Sequence, residues 1–190
     1  MRLALSSVAV FLLTASSNAA EYRVTFTAAD RVLPAVKAIT IVKAGEPGPG
    51  SPQFKAIAVT ARYNESFKVP GEGPYDVWWQ PKEGNAIKVV AGVKLKDGEQ
   101  REFRVTDYLG VVNFRGDGQP RAALVTIAPQ DDPGPDEKGH RAIQKAREFR
   151  VDMVVPDGFY SLWITPENGA RPRKVNDRFR VQAGKSVVLD

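Results

Sequence analysis

The sequence predicts an all-β protein made of two tandem β-sandwich units behind an export signal. Three observations support this prediction: a repeat at fixed spacing, apolar residues that alternate with polar ones, and frequent turns of Gly and Pro. Short alternating strands divided by such turns are typical of a sandwich or barrel. Sixteen glycines and fourteen prolines among 190 residues suit many turns and few helices.

The repeat has a spacing of 86 residues. The first copy reads Thr40-Ile41, Glu46-Pro47-Gly48-Pro49 and Val69-Pro70, and the second reads Thr126-Ile127, Asp132-Pro133-Gly134-Pro135 and Val155-Pro156. After a one-residue deletion, Tyr75, Trp78, Pro81 and Gly84 return as Tyr160, Trp163, Pro166 and Gly169. A fixed period indicates one folding unit used twice. We place the units at residues 20–105 and 106–190.

The first nineteen residues have the pattern of a secretory signal peptide. Arg2 supplies the positive start, the stretch 3–13 is mostly apolar, and Ser17-Asn18-Ala19 provides small residues before a cleavage site. We expect cleavage before Ala20, with cleavage after Ala20 as the alternative. No later apolar run approaches the ~20 residues of a membrane-spanning helix. The chain also has no Cys, so it folds without disulfides. We therefore expect a periplasmic or secreted protein.

Alternation predicts which side chains enter the core. Tyr75, Val77 and Trp79 share one strand face, and Tyr160, Leu162 and Ile164 share another. Because neighbouring residues of a strand point to opposite faces, Trp78 and Trp163 should lie on the non-core face. A further strand is expected with Ile57, Val59, Ala61 and Tyr63 on one side.

One segment is ambiguous between helix and strand. Residues 137–147 have a helical propensity, but their counterpart near residues 51–61 reads as a loop followed by a strand. Because the units repeat, we predict a loop and a strand here as well.

The end of the second unit resembles a known family. It reads Val155-Pro156-Asp157-Gly158-Phe159-Tyr160, then Pro166 and Gly169, then Val181-Gln182-Ala183-Gly184 before an apolar strand. This pattern resembles the carboxypeptidase regulatory-like group of prealbumin-like β-sandwiches, and residues 69–75 carry a degraded copy. The resemblance implies two Greek-key sandwiches. It implies no activity, because such domains mostly stabilise, adhere or present substrates.

The residue inventory argues against catalysis. There is no Cys, the single His is His140, and no Gly-x-Ser-x-Gly elbow is present. Transition metals favour clustered His or Cys ligands, so we predict no metal and no cofactor. Asp131, Asp132, Asp136 and Glu137 offer a calcium site as an alternative to a solvated acidic loop, which we favour. A carboxylate pair acting on glycosides is a third and weaker hypothesis.

Two sets of side chains are candidate binding residues. Trp78 and Trp163 have the flat aromatic rings that stack on sugars, although a covering loop or packing between the units would bury them instead. Arg171, Arg173, Arg178 and Arg180 form a possible patch for anionic polymers on the last hairpin, although such charges also protect edge strands. The net charge of +5 is spread along the chain, and no nucleic-acid-binding motif is present.

These observations lead to one functional expectation with an alternative. We expect an exported, non-catalytic structural or protein-interaction module of the cell envelope or the extracellular space. The alternative is a carbohydrate-binding protein that uses the two tryptophans. Its partner would be a protein or a polysaccharide of the envelope.

Overall fold

Strands make up most of the computed structural model, which describes residues 21–27, 35–70, 73–96 and 98–190. The expected signal peptide, residues 1–19, lies outside the described residues, as do the side chains of residues 21–27. The first seven strands are β1 (Glu21–Thr27), β2 (Val36–Lys43), β3 (Ala58–Thr60), β4 (Ser66–Pro70), β5 (Tyr75–Pro81), β6 (Ile87–Val93) and β7 (Gln100–Arg104). The next seven are β8 (Leu109–Phe114), β9 (Ala122–Pro129), β10 (Gln144–Ala146), β11 (Asp152–Pro156), β12 (Gly158–Pro166), β13 (Arg173–Val181) and β14 (Ser186–Leu189).

The strands form four sheets whose orders repeat. The first half contains a three-stranded sheet β4-β1-β7 and a four-stranded sheet β3-β2-β5-β6. The second half contains β11-β8-β14 and β10-β9-β12-β13, which are the same orders with seven added to each strand number. Neighbouring strands are antiparallel except for the pairs β1–β7 and β8–β14. The prediction of an all-β fold is confirmed.

Apolar side chains form two core clusters. The first includes Ile39, Val77 and Trp79, and the second includes Ile127 and Leu162. The predicted core faces of β5 and β12 are confirmed, because Tyr75, Val77, Trp79, Tyr160, Leu162 and Ile164 are all buried. Burying such side chains stabilises a fold by roughly 1.5–3 kcal/mol each.

The two halves touch through apolar and polar contacts. A single 3-10 turn at Val105–Asp107 connects β7 to β8. Val111 and Val154, from strands of the second half, belong to the first core cluster. Nearby, Gln144 Nε2 donates to the Asn85 carbonyl at 3.1 Å, and Asn85 Nδ2 donates to the Ala142 carbonyl at 3.0 Å. Among the described residues no helix is long and apolar enough to cross a membrane.

The structure tests two local predictions, one for residues 137–147 and one for the strand near residue 59. The ambiguous segment is a loop followed by strand β10, so the choice of loop and strand over a helix is confirmed. The predicted core face of the strand near residue 59 is wrong. Val59 is 56% exposed and Thr60 is buried, because β3 is a three-residue edge strand whose Thr60 side chain bonds to Glu65.

Candidate functional site

A long loop covers the outer, non-core face of each four-stranded sheet. In the first half, residues 44–57 connect β2 to β3; in the second, residues 130–143 connect β9 to β10. The two loops have the same length and lie 86 residues apart. Outer-face residues such as Val42 and Ala128 are fully buried although they belong to neither core cluster. The loops therefore enclose a second, smaller packed layer on each outer face.

Each loop places a glycine against a tryptophan ring. A Cβ atom added to Gly48 would lie 2.4 Å from ring atoms of Trp78, and one added to Gly134 would lie 2.6 Å from the ring of Trp163. Only a residue without a side chain permits such close approach. The repeated Pro-Gly-Pro sequence therefore shapes the loop to receive the ring.

A lysine lies beside each ring. Lys88 Nζ is 5.2 Å from the ring centroid of Trp78, and Lys174 Nζ is 4.8 Å from that of Trp163. Ammonium groups at these distances are attracted to the electron-rich face of the indole. Both tryptophans lie on the non-core face, as alternation predicts, and both are half-buried. The covering-loop alternative therefore describes their surroundings.

The indole nitrogens differ between the two halves. Trp163 Nε1 donates to Ser161 Oγ at 3.1 Å. Trp78 Nε1 is buried and has no partner among the described residues. The repeat counterpart of Ser161 is Asp76, which is 2% exposed and accepts hydrogen bonds from Lys88 Nζ at 2.6 Å and from the backbone N–H groups of Gly92 and Gly45.

The two buried carboxylates are both held in the charged form. Burial alone would raise the pKa of Asp76, but the hydrogen bonds from Lys88, Gly92 and Gly45 outweigh it and lower that pKa. Burial is likewise outweighed at Asp132, where hydrogen bonds from His140 and two backbone N–H groups lower the pKa. The lowered values mean that each carboxylate stabilises the fold as an anion.

Asp132 organises the loop of the second half. Its carboxylate lies 2.6 Å from His140 Nδ1 and accepts from the backbone N–H groups of Arg141 at 2.7 Å and Gly134 at 2.9 Å. The expectation of a solvated acidic loop is wrong at this residue, because Asp132 is buried. In the described part of the chain, no three His, Asp or Glu side chains are grouped as metal ligands.

The stabilising effect of Asp132 should depend on pH. Because its folded pKa lies below the ordinary value of 3.8, the stabilisation is complete above that value and is lost as the pH falls through the folded pKa. We expect the difference in unfolding free energy between the wild type and Asp132→Asn to be largest near pH 6 and to shrink towards pH 3. Urea unfolding across this range measures it, and a difference that stays constant with pH would contradict the assignment.

The four predicted arginines have different surroundings. Strand β13 begins at Arg173, so Arg171 precedes it and does not share a strand face with Arg173. Arg173 donates to the Gln119 side chain. Arg178 and Arg180 place their guanidinium carbons 4.7 and 4.9 Å from the ring centroid of Phe159.

Two features were missed by the sequence analysis. Lys88 and Lys174 recur at the repeat spacing, which is a signal that could have linked them to the tryptophans. Phe159 has no such signal, because its counterpart in the first unit is Pro74. Phe159 is 42% exposed and is flanked by Arg178 and Arg180.

Two concavities are candidate binding sites for small ligands. An open groove of about 370 Å³ runs past Trp163, between Pro133 and Pro135 of the covering loop and Arg171. A second cavity of about 250 Å³ lies where the two halves meet, lined by Pro81, Met153, Val154, Lys82 and Lys145. The groove combines a half-buried indole with Arg171 and with the carboxylates of Asp136 and Glu137, the chemistry of a site for a polar ligand such as a sugar.

Comparisons with known proteins do not show a family for this chain. No family model matches the chain, and no curated protein matches it. A solved structure titled "The Bacillus anthracis TIE protein" aligns with 89% of this chain at 18% identity and a TM-score of 0.31. The chain spans 33% of that protein's length. A likeness this low carries no conclusion, and the resemblance to carboxypeptidase regulatory-like domains remains a prediction.

Proposed function

We propose that the protein is an exported, non-catalytic structural or protein-interaction module of the cell envelope or the extracellular space. In this proposal the signal peptide of residues 1–19 is removed. The mature chain is then a tandem pair of prealbumin-like, Greek-key sandwiches of carboxypeptidase regulatory-like type, at 20–105 and 106–190. It needs no cofactor, spans no membrane and contacts a protein or polysaccharide partner.

The repeated packing of loop on tryptophan carries this proposal. In both halves a glycine of the covering loop lies against the indole ring and a lysine lies beside it. A ring held between a loop and an ammonium group is part of the packing and has little free face for stacking on a sugar. The same arrangement occurs at Trp78 and at Trp163. A packing contact is expected in both halves because both have the same fold, whereas a ligand site need occur in only one of them.

Carbohydrate binding is the second candidate, and the groove beside Trp163 favours it. There the ring borders open space of about 370 Å³ that is also lined by Arg171, Asp136 and Glu137. Sugar hydroxyl groups hydrogen-bond to charged side chains of this kind while the sugar ring stacks on an indole face. In this alternative Trp163 and Arg171 bind the ligand.

Alanine substitution of the two tryptophans separates these candidates. We expect Trp78→Ala and Trp163→Ala each to lower the unfolding free energy by about 2 kcal/mol, roughly half the loss for a fully buried tryptophan. We also expect the wild type to give no signal in a screen of neutral and uronic-acid glycans. Urea unfolding and the glycan screen are run on the same preparations.

The matched control is Val188→Ala, which removes an apolar side chain that is 51% exposed. We expect it to change stability by less than about 0.5 kcal/mol. Glycan binding by the wild type that is lost in Trp163→Ala, with stability retained, would replace the structural proposal by the carbohydrate-binding one.

A further inference from the structure

Strand β13 lies at the edge of its four-stranded sheet and is strongly basic. Within the described residues it pairs with β12 on one side and with no strand on the other. Its nine residues carry four basic side chains (Arg173, Lys174, Arg178 and Arg180) and one acidic side chain. The pairing with β12 is irregular between Asn176 and Phe179, and the Arg178 N–H donates to Asn176 Oδ1 at 3.0 Å. The other backbone N–H and C=O groups on the outer edge of β13 are open to pairing.

The first half provides an internal control for what the fold itself requires. Strand β6 occupies the same sheet position as β13, with the sequence Ile-Lys-Val-Val-Ala-Gly-Val. The counterparts of Phe159, Arg178 and Arg180 are Pro74, Gly92 and Lys94. The sandwich therefore forms without an exposed phenyl ring between two guanidinium groups. A sandwich of this type therefore does not require these three residues of the second half.

The two guanidinium groups are held in place by different contacts. Arg180 Nη2 lies 2.6 Å from Asp157 Oδ1, and Asp157 also accepts from the Ala183 N–H at 3.2 Å. Arg178 rests on the Phe159 ring and has no acidic partner among the described residues. Its cation is thus positioned by the ring but is not neutralised. A carboxylate from outside can form a charge-assisted pair with it at little ordering cost.

We propose that the β13 edge binds an extended acidic segment of a partner protein, which adds to the sheet as a fifth strand and pairs a carboxylate with Arg178. The inference rests on the proposed function, since it names the partner class of a protein-interaction module. Backbone pairing supplies affinity in this binding mode and side chains supply specificity. Charge protection of the edge alone does not account for Phe159, because an exposed phenyl ring adds no charge.

The proposal is tested with a labelled decapeptide of alternating Glu and Thr, titrated into the mature protein at 150 mM NaCl. Fluorescence anisotropy reports the Kd. We expect saturable binding that weakens about tenfold in Arg178→Gln and at least threefold in Phe159→Ala. Lys94→Gln removes the positive charge at the position in the first half that corresponds to Arg180, and it should leave the Kd unchanged.

Two further probes identify the binding mode. Two variants of the peptide are N-methylated, one at every Thr and the other at every Glu. Because the N–H groups of alternate residues point to the same edge of a strand, each variant has one edge blocked. The variant whose blocked edge faces β13 should fail to bind. Equal binding of both methylated peptides, or no binding of the parent peptide at 1 mM, would overturn the proposal. Binding of polygalacturonate that is lost in Arg178→Gln, without peptide binding, would replace the protein segment by an anionic polysaccharide. Failure of the proposed function would give a different result. The protein would then bind glycans, and this binding would be lost in Trp163→Ala but not in Arg178→Gln.

Discussion

Replacing Gly134 by alanine should detach the covering loop of the second half and lower the unfolding free energy by about 2–6 kcal/mol. The added Cβ would lie 2.6 Å from the ring of Trp163, closer than van der Waals contact allows. Forcing a methyl group into such a contact costs about 1–3 kcal/mol. Gly134 also has a φ of 113°, where a side chain adds roughly another 1–3 kcal/mol. Urea unfolding measures the total.

The two contributions can be separated within the molecule. Gly139 lies in the same loop with a φ of 97° and open space around its Cβ position, so Gly139→Ala reports the backbone cost alone. Gly48→Ala reports the steric cost, because Gly48 contacts Trp78 at 2.4 Å without a positive φ. Gly134→Ala should cost more than Gly139→Ala. If the two are equal, the contact with Trp163 does not stabilise the loop.

The repeat explains why much of the fold was predictable from the sequence. Residues that meet in the structure, such as Gly48 with Trp78 and Gly134 with Trp163, recur together at nearly the same spacing. Strand alternation placed the tryptophans on the correct face because period two is a property of the backbone and needs no knowledge of neighbours. The preference for a loop at residues 137–143 also followed from comparing the copies.

Features that depend on long-range contacts were not predictable in this way. Asp132 is read as a solvated acid from its charged neighbours, but the loop folds its carboxylate onto His140 and two backbone N–H groups. The arginines of the last hairpin are close in sequence, yet Arg173 bonds to Gln119 while Arg178 and Arg180 share the Phe159 ring. Only the folded structure places Arg178 and Arg180 over the ring of Phe159. Such pairings depend on how strands and loops meet in the folded chain, which the sequence of one segment does not specify.

Replacing Asp76 by alanine should lower the unfolding free energy of the whole mature chain by about 3 kcal/mol. The substitution removes three hydrogen bonds to a charged acceptor, each worth about 1.5–3 kcal/mol. The loss is partly offset because the Lys88 side chain is 36% exposed and can turn to water. We expect a melting temperature about 6–12 °C lower, measured by calorimetry.

Ser161→Ala is the matched control, since Ser161 holds the same position in the second half. It removes the acceptor of Trp163 Nε1 and a donor to the Pro129 carbonyl, and it should cost about 1 kcal/mol. Among the described residues the exposed side chain of Asp177 forms no hydrogen bond or ion pair, and Asp177→Ala should change stability by less than about 0.5 kcal/mol. A cost below 1 kcal/mol for Asp76→Ala would contradict its role.

Asp76 and Ser161 occupy equivalent positions, but the two halves anchor their covering loops through different side chains. In the first half the carboxylate on strand β5 joins the loop at Gly45 to strand β6 at Gly92. In the second half the loop carries its own carboxylate, Asp132, and the strand position needs only a hydroxyl group for the indole. Asp76→Ser should therefore give Trp78 Nε1 an acceptor while releasing the loop. We expect it to be less stable than the wild type but more stable than Asp76→Ala, and the reverse order would show that the loop tether contributes little.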